Sequence, residues 1–180
     1  MSDAALSRPL LELDTVVKTF GGVTAVGGLS TRVTRGLIHG VIGPNGAGKT
    51  TLINLITGLF HPTSGAIRFE GRSLEAMQPQ AIATLGIART FQNIRLFSGM
   101  TALEQVMTGC WLTREVGVFA SFLGLPSARA AWARTREHAL SLLARVSMDH
   151  RADELAETLS YGEQRRIEIA HALGSRPKLL

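Results

Sequence analysis

Cysteine is almost missing from this chain. Cys110 is the only one in 180 residues, which excludes an internal disulfide and any metal site built on paired thiols, and fits a reducing compartment. With no CxxC spacing around it, Cys110 is read as a space-filling side chain. Aromatics are also few: seven Phe, two Trp and one Tyr. They are not interleaved with the basic residues, so a stacking surface for nucleic acid lacks its parts, and no nucleic-acid partner is expected. The net charge of +5 comes mostly from Arg spread along the chain, which reads as a scattered basic surface rather than one anion-binding face. The longest apolar stretch, residues 116–125, is broken by glycines and is too short to cross a bilayer. Residues 1–9 hold one Arg and no apolar run, so no signal peptide is expected. What is present is 45% hydrophobic and 18% charged residues, enough for a globular domain with a sizeable core.

Hydropathy patterning gives the elements. Leu10–Thr19 alternates and is rich in β-branched residues, which predicts a strand. Gly21-Gly22 makes a turn, and Val23–Val33 reads as a second strand broken at Gly27-Gly28. The apolar run Leu37–Ile42 predicts a strand buried in a parallel sheet. Thr50–Leu59 has a helical period and is stopped by Gly58 and Pro62. Ala66–Glu70 and Ile87–Phe91 read as strands, with a weak helix over Gln78–Leu85. From Thr101 to Glu157 nearly everything reads helical. One stripe gathers Ala128, Ala131, Trp132, Ala139, Leu142, Leu143 and Val146. The expected organisation is α/β, with a nucleotide-binding core over 10–99, an inserted helical subdomain over 100–160, and a helix over 161–180 that returns to the core.

Gly43-Pro44-Asn45-Gly46-Ala47-Gly48-Lys49-Thr50 matches G-x-x-x-x-G-K-[ST]. Each constrained position has a chemical reason. The glycines let successive backbone N–H groups turn inward toward phosphate oxygens. The helix that follows adds its positive end. Lys49 brings a mobile cation to the β- and γ-phosphates, and the Thr50 hydroxyl suits Mg²⁺, which prefers oxygen. Thr51 offers a second hydroxyl, to the α-phosphate. A buried-strand pattern before the loop and a helix pattern after it supply the confirming context.

A second motif lies 111 residues downstream of Lys49. Ser160 and Glu163 have the S-x-x-E spacing of a capping box, and Ile167, Ala170 and Leu173 mark the buried stripe of the helix it starts. With the phosphate loop, Leu159-Ser160-Tyr161-Gly162-Glu163-Gln164-Arg165-Arg166 resembles the signature loop of ABC transporter ATPases. The resemblance implies a P-loop NTPase core of RecA-like type, with an N-terminal antiparallel β region and an inserted helical subdomain. It also implies ATP with Mg²⁺, transmembrane permease partners, and a second ATP-binding subunit in a head-to-tail dimer at the cytoplasmic face of the plasma membrane. Residues 43–51 of one subunit would hold an ATP that Ser160, Gly162 and Glu163 of the other close upon. In the same way Gln92, in Arg89-Thr90-Phe91-Gln92-Asn93, resembles the family's glutamine loop, which ligates Mg²⁺ or orients water and reports to the permease. Phe20 resembles the aromatic that stacks on adenine, its alternative being a core Phe. A groove lined by residues 93–100 and 111–125 would receive a permease helix, the alternative being that Phe119, Phe122 and Leu123 are core.

Finer likeness points to the branched-chain amino-acid uptake class, through Thr90–Phe97, Tyr161 and the segment 119–126. In such systems the imported substrate does not touch this subunit. His171, where relatives often carry Arg, and His39 before the phosphate loop depart from the pattern and read as structural variation. His61, His138 and His150 have no metal-ligand spacing. Arg176–Leu180 resembles the lead-in to the strand that ends in the family's Asp-Glu pair, and the core is expected to lack its C-terminal part in these 180 residues. The alternatives to a transport ATPase are a catalytically dead fragment serving as a nucleotide-binding or interaction module, and a soluble ABC-type factor. The soluble factor would show tandem cassettes or long inserted arms.

Overall fold

A computed structural model describes residues 9–91, 94, 96–113 and 126–180. The described chain divides into two compact units. One runs to Ile87 and takes in Leu179; the other holds 88–178 and Leu180.

The first unit is built on a four-stranded antiparallel sheet in the order β2-β1-β3-β4. The strands are β1 (Leu11–Phe20), β2 (Val23–Val33), β3 (Ser64–Phe69) and β4 (Arg72–Ser73). β1 matches its expectation but does not alternate throughout. Leu11, Leu13 and Val16 are all buried, a change of parity between positions 13 and 16. The cause is a bulge: the ladders to β2 and β3 both shift here, and Thr15 takes φ 48°. The extra residue turns Val16 back to the core face. The Thr15 N–H that leaves the ladder donates to Ser30 Oγ at 2.8 Å.

Two short helices pack on this sheet, α1 (Lys49–Ile56) and α2 (Pro79–Thr84). In α1 Leu52, Leu55 and Ile56 are buried, the i, i+3, i+4 set that forms one helical face. They join Leu11, Leu13, Val16, Ile67, Phe69 and Ile82 in a single apolar cluster.

The expected strand over Leu37–Ile42 does not form. These residues have no regular structure, and Ile38 and Ile42 are fully exposed. A strand is stable only where a neighbour takes its N–H and C=O groups, and the described residues give this run no ladder. Ile87–Phe91 is likewise reduced to one parallel bridge, Ile87 to Leu179, fixed by the Leu179 N–H on the Gly86 carbonyl at 3.1 Å.

The second unit is helical, with α3 (Ala102–Gly109), α4 (Pro126–Arg145) and α5 (Tyr161–Gly174). A capping box starts α3. The Thr101 N–H donates to Glu104 Oε2 at 2.9 Å, and the Glu104 N–H donates to Thr101 Oγ1 at 3.2 Å. The α4 stripe holds at Ala131, Ala139, Leu142 and Leu143, all buried, but Trp132 stands exposed. Helices α3 and α5 cross closely. A methyl group on Gly109 would fall 2.0 Å from the His171 carbonyl oxygen, so only glycine allows this approach. Cys110 is buried beside the crossing, and burial pushes its thiol pKa up, as a space-filling role requires. No helix among the described residues is long and apolar enough to cross a membrane.

The contrast between the core and the unladdered run gives a first test. Ile67→Ala removes a buried side chain and should cost about 2–4 kcal/mol of stability. Ile38→Ala should stay within about 0.5 kcal/mol in a protein of these 180 residues. Urea titration of both variants checks it; equal losses would mean that Ile38 is covered.

Candidate functional site: a phosphate loop and a signature helix

The phosphate loop lies in the first unit, between residue 42 and the start of α1. Its shape depends on Gly48, which has φ 80°. A Cβ there would meet the Ala25 carbonyl oxygen of β2 at 2.1 Å. The loop therefore rests directly on the sheet backbone, and only glycine has both the conformation and the room. Gly48 also serves as the N-cap of α1, so no side chain caps the helix, and no acidic residue stands in its first turn. Its free N–H groups and positive end are open to an anion.

Lys49 Nζ folds back on the loop, donating to the carbonyl oxygens of Gly43 and Pro44, each at 2.7 Å. A phosphate oxygen would offer the same ammonium a charged acceptor in place of neutral ones, the stronger bond of the two. The Ala47 N–H closes a turn on the Pro44 carbonyl at 3.2 Å. Asn45, Gly46 and Thr50 are exposed, and Thr51 is half-buried. Thr50 presents a hydroxyl in the first turn of α1, as a Mg²⁺ ligand beside the phosphates would have to. The described residues hold no cluster of acidic or imidazole groups able to bind a metal by themselves.

Phe20 ends β1 and is 43% exposed, which sets it apart from the core. It meets Phe60 edge to face at 5.2 Å. Lys18 Nζ stands 5.0 Å from its ring centre, within cation–π range. His39, an unexplained departure at the sequence level, accepts the Thr34 N–H on its Nε2 at 3.2 Å.

The signature residues lie in the second unit, at the start of α5. Ser160 is the N-cap. Its N–H and its Oγ–H both donate to Glu163 Oε2, at 2.9 and 2.6 Å. Arg151 Nε approaches the other carboxylate oxygen at 3.3 Å. The hydrogen bonds from Ser160, with Arg151 and Arg166 nearby, hold the Glu163 carboxyl below the usual glutamate range. Glu163 is thus an ionised acceptor that orients Ser160. A carboxylate cannot donate to an anion, so what Glu163 does here is orient Ser160. Gly162 has open space where a side chain would be.

Gln92 lies outside the described residues, but its neighbour Phe91 does not. The Phe91 N–H donates to Glu168 Oε1 at 2.7 Å, and Arg165 Nη1 donates to the Phe91 carbonyl and to Glu168 Oε2. Arg165 belongs to the signature segment, whereas Glu168 lies outside every motif of the sequence. Nothing in the helical period marks a Glu at position 168 as buried. Burial lowers the His171 pKa below the ordinary histidine range, against the opposing pull of Glu168.

A protein-family model described as ABC transporter matches residues 26–180. The chain belongs to the ABC transporter ATP-binding family. The branched-chain amino-acid transport ATP-binding protein BraF of Pseudomonas aeruginosa is 39% identical over 97% of this chain and 69% of its own length. Among solved structures, an ABC transporter ATP-binding cassette in an ADP conformation superposes with a TM-score of 0.77 at 31% identity. That match covers 95% of this chain and 66% of the other. A bacterial ABC transporter cassette solved as a dimer gives 0.75 at 25% identity, over 93% and 70%. The antiparallel N-terminal sheet, the phosphate loop and the helical unit are therefore those of an ATP-binding cassette.

Two substitutions should separate the loop's shape from its charge. In Gly48→Ala the methyl group meets Ala25 and φ is strained, so the cassette should lose at least about 2 kcal/mol of stability and its nucleotide affinity with it. Lys49→Ala should leave the melting temperature within a few degrees and weaken ATP binding by roughly 30–100-fold. Thermal melting and titration with a fluorescent ATP analogue read the two effects.

At the signature helix the prediction concerns pH. The Glu163 pKa is lower in the folded chain than in the unfolded one, so its contribution is full above the ordinary glutamate value. It fades as pH falls through the depressed folded value. Amide exchange in the first turn of α5 should rise in that acid window. In Glu163→Gln it should be raised already at neutral pH and flat across the window.

Proposed function

We propose that this cassette is the ATP-hydrolysing subunit of an ABC importer for branched-chain amino acids or similar small polar or amide substrates. The observation that carries the reading is the phosphate loop. Lys49 and an uncapped, acid-free α1 start are held on β2 by Gly48, in a chain whose relative BraF is named for branched-chain amino-acid transport.

In this reading Gly43, Pro44, Asn45, Gly46, Ala47 and Gly48 wrap the phosphates with backbone N–H groups. Lys49 bonds the β- and γ-phosphates, and Thr51 the α-phosphate. Phe20 stacks on adenine, which its exposure permits. Thr50 and Gln92 would hold Mg²⁺, which when bound neutralises charge that builds on the phosphate oxygens. Gln92 also orients the attacking water. Ser160, set by Glu163, and the Gly162 N–H close on the γ-phosphate held by a second cassette. The dimeric relative supports this arrangement. Hydrolysis then releases the pair and drives permease subunits from the cytoplasmic face of the plasma membrane.

The test uses the protein at the length its own cells make. It should co-purify with a membrane permease and turn over Mg-ATP, with Lys49→Ala lowering turnover by at least about 100-fold. Deleting its gene should abolish uptake of labelled leucine, isoleucine or valine. Turnover that survives Lys49→Ala would overturn the ATPase reading. Unchanged uptake of all three would overturn the substrate class alone.

A further inference from the structure

Within the first unit, the corner after α1, residues 60–63, is stitched to the end of β1. The Thr63 N–H donates to the Val17 carbonyl at 2.8 Å, and the Thr19 N–H donates to Thr63 Oγ1 at 3.0 Å. Lys18 Nζ donates to the His61 carbonyl at 2.7 Å. The same ammonium stands 5.0 Å from the centre of the Phe20 ring and 5.9 Å from that of Phe60. The two rings lie 5.2 Å apart at an interplanar angle of 74°. A lysine head at a protein surface ordinarily moves freely. This one has a backbone acceptor and two aromatic rings around it.

The register of the sheet sets Phe20 beside the phosphate loop. Phe20 pairs with Val23 on β2, and Gly48 rests on Ala25 of the same strand. Two residues of strand span about 7 Å, so the backbone at Phe20 lies within a nucleotide's length of the loop's seat. A half-exposed ring at a strand end turns among its rotamers unless something holds it. Here Phe60, packed against the core cluster, supports the ring on one side and Lys18 on another. A ring ordered before the base arrives spares the binding step that ordering cost. The ammonium also draws on the ring's electrons, which favours an electron-rich purine against the part of Phe20 left exposed.

We propose that Lys18 is a positioning residue for the nucleobase, holding the Phe20 ring against Phe60 so that its exposed part is ready for a purine. The proposal rests on the reading above in which Phe20 stacks on adenine. Lys18 needs to touch neither base nor phosphate, because its head is spent on the His61 carbonyl and the two rings. Its effect should therefore fall on ligands that carry a base and spare phosphates alone. Lys49 is the contrasting case, since its ammonium serves the phosphates whether or not a base is attached.

The experiment titrates the protein at its natural length, by calorimetry, with Mg-ATP and with magnesium tripolyphosphate, which has the phosphates and no base. Lys18→Met keeps most of the stem and removes the charge. It should weaken ATP binding by about 3–10-fold and leave tripolyphosphate binding within about twofold. Lys18→Arg, which restores a cation over the rings, should recover most of the loss. Phe20→Ala should weaken ATP by about tenfold and likewise spare tripolyphosphate, whereas Lys49→Ala should weaken both. Equal losses of ATP and tripolyphosphate in Lys18→Met would mark a phosphate contact or structural damage and overturn the proposal. A loss that Lys18→Arg does not recover would overturn it too. If the unsubstituted protein binds ATP no more tightly than tripolyphosphate, or Phe20→Ala binds ATP as well as it does, the stacking reading falls and this one with it. If Phe20→Ala shows the base-selective loss and Lys18→Met does not, only this proposal falls.

Discussion

The phosphate loop depends on one backbone contact, that of Gly48 with the Ala25 carbonyl of β2. Because no Cβ stands between them, the loop sits on the sheet and leaves it at a fixed angle. That angle decides where α1 begins, and so which of its residues face inward. Leu52, Leu55 and Ile56 reach the cluster around Leu11, Val16 and Phe69. With α1 so placed, Lys49 Nζ comes within bonding distance of Gly43 and Pro44. The loop's chemistry is set by the packing of a helix turn it does not itself contain.

In the helical unit a different constraint operates. Its core is mostly small and apolar, and α3 and α5 approach until Gly109 lies against His171. So tight a crossing leaves little room for polar atoms, and those admitted must be fully bonded. Gln105 and Glu168 meet that condition by turning outward from the crossing to the backbone at Phe97 and Phe91. Phe91 and Phe97 are thereby tied to the helices by directional bonds, which fix geometry more strictly than apolar contact does.

The sequence made the local features legible and left hidden those that depend on partners far along the chain. The G-x-x-x-x-G-K-T spacing, the capping box at Ser160 and Glu163, and the stripe through Ala139, Leu142 and Leu143 are short-range patterns, and each was found. The strand over Leu37–Ile42 failed because apolar composition records a wish for burial, while a strand also needs a ladder neighbour, which no local pattern supplies. The change of parity at Thr15 was hidden because a bulge is decided jointly by three strands. Gln105 and Glu168 carry no local signal of burial in the sequence. Only the tertiary contacts with Phe97 and Phe91 show that these polar groups are inside.

The two helix starts of the candidate site are electrostatically unequal. At α1 nothing neutralises the positive end: the cap is a glycine and the first turn has no acid. At α5 a carboxylate is already in place, with Ser160 bonded to it and Arg151 beside it. An anion arriving at α1 meets free donors and a lysine. One arriving at α5 meets Glu163 first, and it gains the Ser160 hydroxyl only by competing with an internal acceptor. The α1 start therefore offers an anion uncompensated donors, whereas the donors of the α5 start are already engaged by an internal carboxylate.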